Sequence, residues 1–345
     1  MTTPEFKTGH PHGLYQPEST PEFDESVRAL LELISQNETF LVVSHAHPDG
    51  DAVGSTLAMG LLLEQMGKSV TFFNVHAMPY NFGFLPGADR WVSELADDFA
   101  VDVTIMLDCA EQHRVGEGFP ENGWGETIAV VDHHKTWDDS FARVYVRDPR
   151  AAATGEVIYR ILAASTESLG LDLARCLYCC LMTDTGSFRY SSASCTTFRV
   201  AGELLGAGVD VWEMTSQIYE SQPLERLQLL AKVLPTLSTS AGGRLAFIRL
   251  EQSMFDETGT TSDYADGFIN HARGIRGVEV ATQLLETGAG QWKVSFRSRG
   301  QIDVSTLAER FGGGGHRNAA GCAMTGTSDE VEAALTQALE ELVPE

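Results

Sequence analysis

Between residues 40 and 146 the chain carries five short apolar runs, and three of them stop on acidic or histidine residues. The runs are Phe40-Leu41-Val42-Val43, residues 70–75, residues 101–108, residues 127–132 and residues 142–146. Residues 53–66, closed by Gly67, have the apolar face of a long helix. Short buried strands separated by helical segments predict an α/β domain, a mainly parallel sheet with helices on both faces. In open parallel sheets, ligands gather beyond the carboxyl ends of the strands. The first run leads into Ser44-His45-Ala46-His47-Pro48-Asp49-Gly50-Asp51, the third ends on Asp108 and the fourth on Asp132-His133-His134. Topology alone therefore predicts that these segments converge.

Their chemistry suits a divalent cation. His45, Asp49 and Asp51 in one loop can feed two adjacent ions, with Gly50 allowing the bend and Gly54 a close backbone approach. The alternative makes both aspartates turn and N-cap residues of the following helix, and the loop by itself does not decide. Asp108 and Asp132 shift the balance, because a carboxylate at the end of an apolar strand is costly unless something neutralises it. Asp184, in Leu181-Met182-Thr183-Asp184-Thr185-Gly186, reads alone as a helix-ending residue and beside the others as a further ligand. Carboxylates favour hard cations, and imidazole among them moves the choice towards manganese, iron, cobalt or zinc.

A formal charge of −24 over 345 residues repels polyanions at long range and argues against broad duplex binding. A small phosphorylated ligand held by local cations is compatible with it. The six cysteines lie among apolar or motif residues and read as reduced core thiols. Cys176-Leu177-Tyr178-Cys179 has the spacing of half a zinc site without a second half. No apolar stretch approaches a membrane span, so a cytoplasmic protein is expected. Residues 1–25 read as a flexible arm, 26–220 as the metal-binding domain, 221–240 as a helical linker and 241–345 as a smaller α/β domain with strands at 245–250, 278–284 and 292–296. Helices are expected near 263–272, 303–310 and 329–342.

In that second domain, Gly312 to Gly315 lets backbone N–H groups approach a phosphate, with His316 and Asn318 as donors. Arg273, Arg276, Lys293, Arg297 and Arg299 crowd the same part of an otherwise acidic chain. A flexible turn is the competing reading. His10, His12, His76, His113 and His271 read as incidental, and Phe188 and Tyr190 as core or as base-stacking aromatics.

The set Asp49-Gly50-Asp51, Asp108, Asp132-His133-His134 and Asp184-Thr185-Gly186 resembles the DHH phosphoesterase superfamily in its order along the chain. Arg297-Ser298 and the run from Phe311 to Gly321 resemble the associated C-terminal substrate domain, Gly314, Gly315, His316 and Asn318 included. The compact two-domain length is similar to the bacterial nano-RNases that also dephosphorylate 3′-phosphoadenosine 5′-phosphate. The resemblance implies two divalent ions, Mn²⁺ foremost and Mg²⁺ or Co²⁺ as alternatives. It implies His45, Asp49 and Asp108 on one ion, and Asp51, Asp108, His133 and Asp184 on the other. It further implies His134 at the scissile phosphate, Asp132 orienting a histidine, Arg114 reaching towards substrate, and Arg273, Arg297 and Ser298 in the substrate subsite. Short oligoribonucleotides, linear dinucleotides and phosphorylated nucleotides are the expected partners, with homodimerisation left open. A cyclic-dinucleotide or linear-dinucleotide phosphodiesterase, an inorganic pyrophosphatase and a non-catalytic nucleotide sensor are the alternatives. Two departures from the pattern are His47 in the first loop and Ala193 after the Asp184 motif.

Overall fold

The computed structural model describes residues 14–135, 137–299 and 302–342, which divide into two compact units meeting at Ser221 and Gln222. The expected arm therefore lies largely outside the described residues, and its end is structured. Helix α1 (Pro21–Gln36) starts ahead of residue 26, because Thr20 caps it and a proline fits its first turn. Strand β1 (Thr39–Ser44), α2 (Gly50–Gln65), β2 (Ser69–Phe73), β3 (Trp91–Val92), β4 (Val103–Leu107), β5 (Thr127–Asp132) and β6 (Val144–Arg147) follow. Helices α3 (Thr154–Ala164), α4 (Leu171–Asp184), α5 (Cys195–Gly206) and α6 (Val211–Thr215) complete the unit.

All strand pairs in the first sheet are parallel, in the order β3-β2-β1-β4-β5-β6. The chain direction across the sheet reverses between β1 and β4, the point where open α/β sheets bind ligands. Phe40, Val42, Ile105, Ala129 and Val131 face the helices, while Leu41, Val43, Met106 and Val130 face the other side. That second face carries no α-helix among the described residues. It is covered by 3₁₀ turns at Gln112–Val115 and Glu121–Trp124 and by the side chains of Phe99, Phe119 and Trp124. The expectation of helices on both faces is corrected here, because Gly116, Gly118, Pro120, Gly123 and Gly125 interrupt the β4–β5 connection.

Helix α2 is buried from Gly50 through Gly60, since α4 and α3 pack over it. Gly54 permits that contact: a Cβ there would lie 2.7 Å from the Cys176 carbonyl oxygen and 2.6 Å from Cys180 Sγ. The close approach carries Asp184, at the end of α4, to the start of α2. Cys176, Cys179 and Cys180 are buried free thiols in this interface, and Cys195 differs from the core expectation by standing exposed at the start of α5.

The second unit contains α7 (Leu224–Val233), β7 (Ser238–Ser240), β8 (Leu245–Leu250), α8 (Gln252–Thr258), α9 (Ile269–Arg273), β9 (Val280–Gly288), β10 (Gln291–Ser298), α10 (Val304–Arg310), β11 (Gly314–His316), β12 (Ala319–Thr325) and α11 (Ser328–Leu342). Its sheet runs β11-β12-β10-β9-β8-β7, antiparallel except for β8 with β9. Residues 221–240 differ from the expected linker. Leu229 and Val233 of α7 are buried with Ile248, Phe255 and Phe268, and β7 is the edge strand on β8, so this stretch belongs to the second core. The helix expected at 263–272 is a 3₁₀ turn at Ser262–Ala265 followed by α9, divided at Gly267 by its φ of 76°.

Candidate metal centre

Six side chains from four chain segments converge where β1, β4 and β5 end. His45, Asp49 and Asp108 form one group, and Asp51, His133 and Asp184 another; within each, the donor atoms lie within 4.8 Å of one another. Asp108 also groups with His133 and His134, which places it between the two. Asp49 both caps α2, accepting from the N–H groups of Asp51 and Ala52 at 3.1 Å, and joins the cluster. The two readings of the first loop are therefore compatible. Asp108 follows β4 with a φ of 57°, a left-handed conformation that aspartate adopts more readily than most residues.

Each histidine is held by its outer nitrogen. His45 Nδ1 meets the Ala46 carbonyl at 2.9 Å and His133 Nδ1 meets the Ala151 carbonyl at 3.2 Å. Both Nε2 atoms point at carboxylates: His45 at Asp108 (3.5 Å) and Asp49 (3.9 Å), His133 at Asp108 (3.6 Å), Asp184 (3.6 Å) and Asp51 (3.8 Å). These separations are too long for good hydrogen bonds and suit donors that share a cation about 2.1 Å from each. A backbone carbonyl on the far nitrogen is the usual support of a metal-ligating histidine. The donor set fits divalent ions.

Asp51 and Asp108 are about 1–2% exposed, so their charges need compensation on the spot. The start of α3 supplies part of it. The Thr154 N–H donates to Asp51 Oδ2 at 2.6 Å, the Gly155 N–H to Asp51 Oδ1 at 3.2 Å, and the Thr154 hydroxyl to Asp108 Oδ1 at 2.9 Å. Burial nevertheless raises the Asp51 pKa well above the carboxylate range, with Asp108 adding to it. Burial also raises Asp184, and with the Asp108 and Asp49 charges it outweighs His133 to bring the group to about 7. Burial opposes the charged forms of His45 and His133, but the facing carboxylates prevail and raise both to about 9. Burial disfavours an ionised Asp108 too, yet the three histidines around it hold it well below the usual range.

A scan against family models matches the DHH family, N-terminal domain, at residues 39–182 and the DHHA1 domain at residues 242–345. The protein described as bifunctional oligoribonuclease and PAP phosphatase NrnA from Thermus thermophilus is 32% identical over 308 residues, spanning 89% of this chain and 90% of that protein. The chain belongs to the DHH family. The Bacillus subtilis protein of the same description is 27% identical over 299 residues, covering 86% and 92% of the two chains. A crystal structure of an exopolyphosphatase-related protein from Bacteroides fragilis superposes with a TM-score of 0.84 at 27% identity, covering 92% of this chain and 96% of that one. This DHH-family chain is thus a metal-dependent hydrolase of phosphoester bonds.

The motif that gives the family its name is braced internally. Asp132, fully buried, meets His134 Nδ1 at 2.7 Å, which orients the ring. Arg114 sits in the 3₁₀ turn after β4, where its carbonyl accepts the Ala46 N–H at 2.7 Å and ties this turn to the His45 loop. Residues absent from the sequence reading complete the support. Asn74, buried after β2, donates to the His45 carbonyl at 2.9 Å and accepts the His76 N–H, while the His76 ring takes the His47 N–H at 3.2 Å. His76, read from the sequence as incidental, is instead part of the loop's framework. Thr154 is the other omission, because a threonine opening a helix ordinarily reads as capping chemistry. Thr154→Val, which keeps the shape and deletes the donor to Asp108, is expected to lower metal affinity or turnover about 10- to 100-fold. Calorimetric Mn²⁺ binding together with kcat measures this, and wild-type values for both would show that the hydroxyl is dispensable.

In the second unit, Arg297 and Ser298 end β10. The Ser298 hydroxyl donates to Asn318 Oδ1 at 3.0 Å and its N–H to the Asn318 carbonyl at 3.0 Å, fixing the two predicted subsite residues against each other. Gly314 and Gly315 lie in the edge strand β11, paired with β12. The glycine run serves close packing as well as flexibility, since a Cβ on Gly313 would fall 2.1 Å from the Gly321 carbonyl oxygen. Lys293 and Arg297 alternate with buried Trp292, Val294 and Phe296, and so point to the opposite face of the sheet. Arg273 ends α9, which packs against β9 and β10. The His316 side chain, His10 and His12 lie outside the described residues. No helix among the described residues is long and apolar enough to cross a membrane.

Proposed function

We propose that this protein is a cytoplasmic nano-RNase, releasing mononucleotides from short oligoribonucleotides and dephosphorylating 3′-phosphoadenosine 5′-phosphate. The observation that carries the reading is the match to a bifunctional oligoribonuclease and PAP phosphatase across nine-tenths of both chains, both units included. Two divalent ions, Mn²⁺ foremost with Mg²⁺ or Co²⁺ as alternatives, would be held by His45, Asp49 and Asp108 and by Asp51, Asp108, His133 and Asp184. When bound, such ions neutralise phosphoryl charge and lower the pKa of water. Asp132 holds the His134 ring in place for contact with the scissile phosphate. Arg114 reaches for the substrate, and Arg273, Arg297, Ser298, Gly314, Gly315, His316 and Asn318 form the phosphate and nucleotide subsite. Hydrolysis adds water across the phosphoester, with the P–O bond broken and the departing sugar oxygen protonated. Positioning and charge stabilisation supply most of the acceleration in such reactions.

The test is Mn²⁺-dependent hydrolysis of 3′-phosphoadenosine 5′-phosphate and of 5′-labelled RNA from two to about twenty nucleotides. Mononucleotide release strongest on the shortest RNAs, with phosphate release from the bisphosphate, is the expected result. Turnover of a cyclic dinucleotide or pyrophosphate alone would replace this reading. Absence of all turnover with metal bound would leave a sensor.

A further inference from the structure

Trp137 lies three residues beyond His134 and is 50% exposed, yet it is clamped in place. Its ring stacks over the Arg147 guanidinium, with 3.8 Å from the guanidinium carbon to the ring centroid. Arg147 has a side chain only 9% exposed, donates to the His134 carbonyl, and sets its Nε 4.0 Å from Asp132 Oδ2. Among the described residues, that Nε has no hydrogen-bond partner. On the other side of the indole in sequence, the Asp138 N–H donates to the Ala110 carbonyl at 2.9 Å, two residues beyond Asp108. One guanidinium thus separates an accessible indole from the backbone of the DHH motif. A half-buried cation behind the ring is attracted to its π-face and fixes its plane. Folding gains little from leaving so large an apolar surface in water.

We propose that Trp137 is the platform on which a nucleobase of the substrate stacks, with Arg147 as the residue that positions it relative to His134. The inference rests on the nucleotide reading of the same site. Stacking tolerates any base, because every base has a π-face, and this suits an enzyme that degrades RNA fragments of arbitrary sequence. Arg147 makes base placement and phosphate placement a single geometric unit, since it holds the indole and the His134 backbone together.

The experiment is calorimetric titration of the full-length, Mn²⁺-loaded protein with adenosine 5′-monophosphate and, separately, with ribose 5-phosphate, which lacks the base. Wild type should bind the nucleotide about tenfold or more tightly than the sugar phosphate, a ratio on the order of one base–aromatic stack. In Trp137→Ala the ratio should fall towards one, and Trp137→Phe should restore most of it. An equal fall in both affinities would assign Trp137 a structural role and overturn the proposal. So would an unchanged ratio in Trp137→Ala, or a wild type that does not distinguish the two ligands. A wild type that prefers the nucleotide through Trp137 but hydrolyses no RNA or bisphosphate would sink the nano-RNase reading and leave the platform standing.

Discussion

Asp108→Asn should lower phosphoester turnover on the order of a thousandfold. The substitution keeps the size of the side chain and the acceptor for the Thr154 hydroxyl, so packing is preserved. It removes the one carboxylate that faces His45, His133 and His134 together, at 3.5, 3.6 and 3.5 Å. Both candidate ion positions lose a shared anionic donor, and breaking a buried charge cluster costs about 3–5 kcal/mol. Steady-state hydrolysis of a linear dinucleotide, with bound Mn²⁺ counted and the fold checked by circular dichroism, measures the effect. Retention of a tenth of the wild-type rate would remove Asp108 from its bridging position.

Metal uptake should expel protons, and the apparent affinity should climb steeply with pH. In the metal-free protein His45 and His133 are raised to about 9 and are cationic at neutral pH, while Asp51 is raised and Asp184 lies at about 7. A cation must displace those protons to reach the same donors. Each proton released contributes about a tenfold gain in affinity per pH unit until its group has titrated. The linkage has a definite sign for stability as well. The histidine pKa values are raised in the fold, so their contribution to the metal-free protein is complete below about 6.5 and is lost as pH rises through 9. The raised Asp184 acts in the same direction around pH 7, and Asp108, which is lowered, changes nothing in this window. The Tm of the metal-free protein should therefore fall from pH 6 to 9 while the stabilisation by Mn²⁺ grows. Calorimetry in buffers of differing ionisation enthalpy counts the protons, and a pH-independent affinity would contradict the assignment of these residues as ligands.

Asp108 and Asp132 were legible because they place charge at the ends of apolar strands, where folding alone gives no reason for it. Asp184 was legible only in company, since an acid after a helix is ordinary. The residues that hold these ligands left no such mark. Asn74 and Thr154 are common residues at a strand end and a helix start, and what singles them out is contact with residues 29 and 46 positions away. Arg147 occupies a regular strand position, and its relation to Asp132 follows from β5–β6 register. In the second unit, short glycine-rich strands such as β11 lack the β-branched side chains that announce a strand, so the ladder stays hidden until β12 pairs with it. The 3₁₀ turns on one sheet face show the same limit: glycines rule out a helix there without saying what replaces it.

Asp51 and Asp108 are secured by different kinds of donor, and that difference sets how the centre can drift over generations. Asp51 is gripped by two main-chain N–H groups of α3. Side-chain replacements at those positions leave both donors intact so long as the helix starts in the same place and neither residue becomes proline. Asp108, besides the three histidines around it, takes a 2.9 Å hydrogen bond from the Thr154 hydroxyl, which one nucleotide change can delete. Asp51 is thereby buffered against substitution, and Asp108 is left as the point where mutation can tune the site.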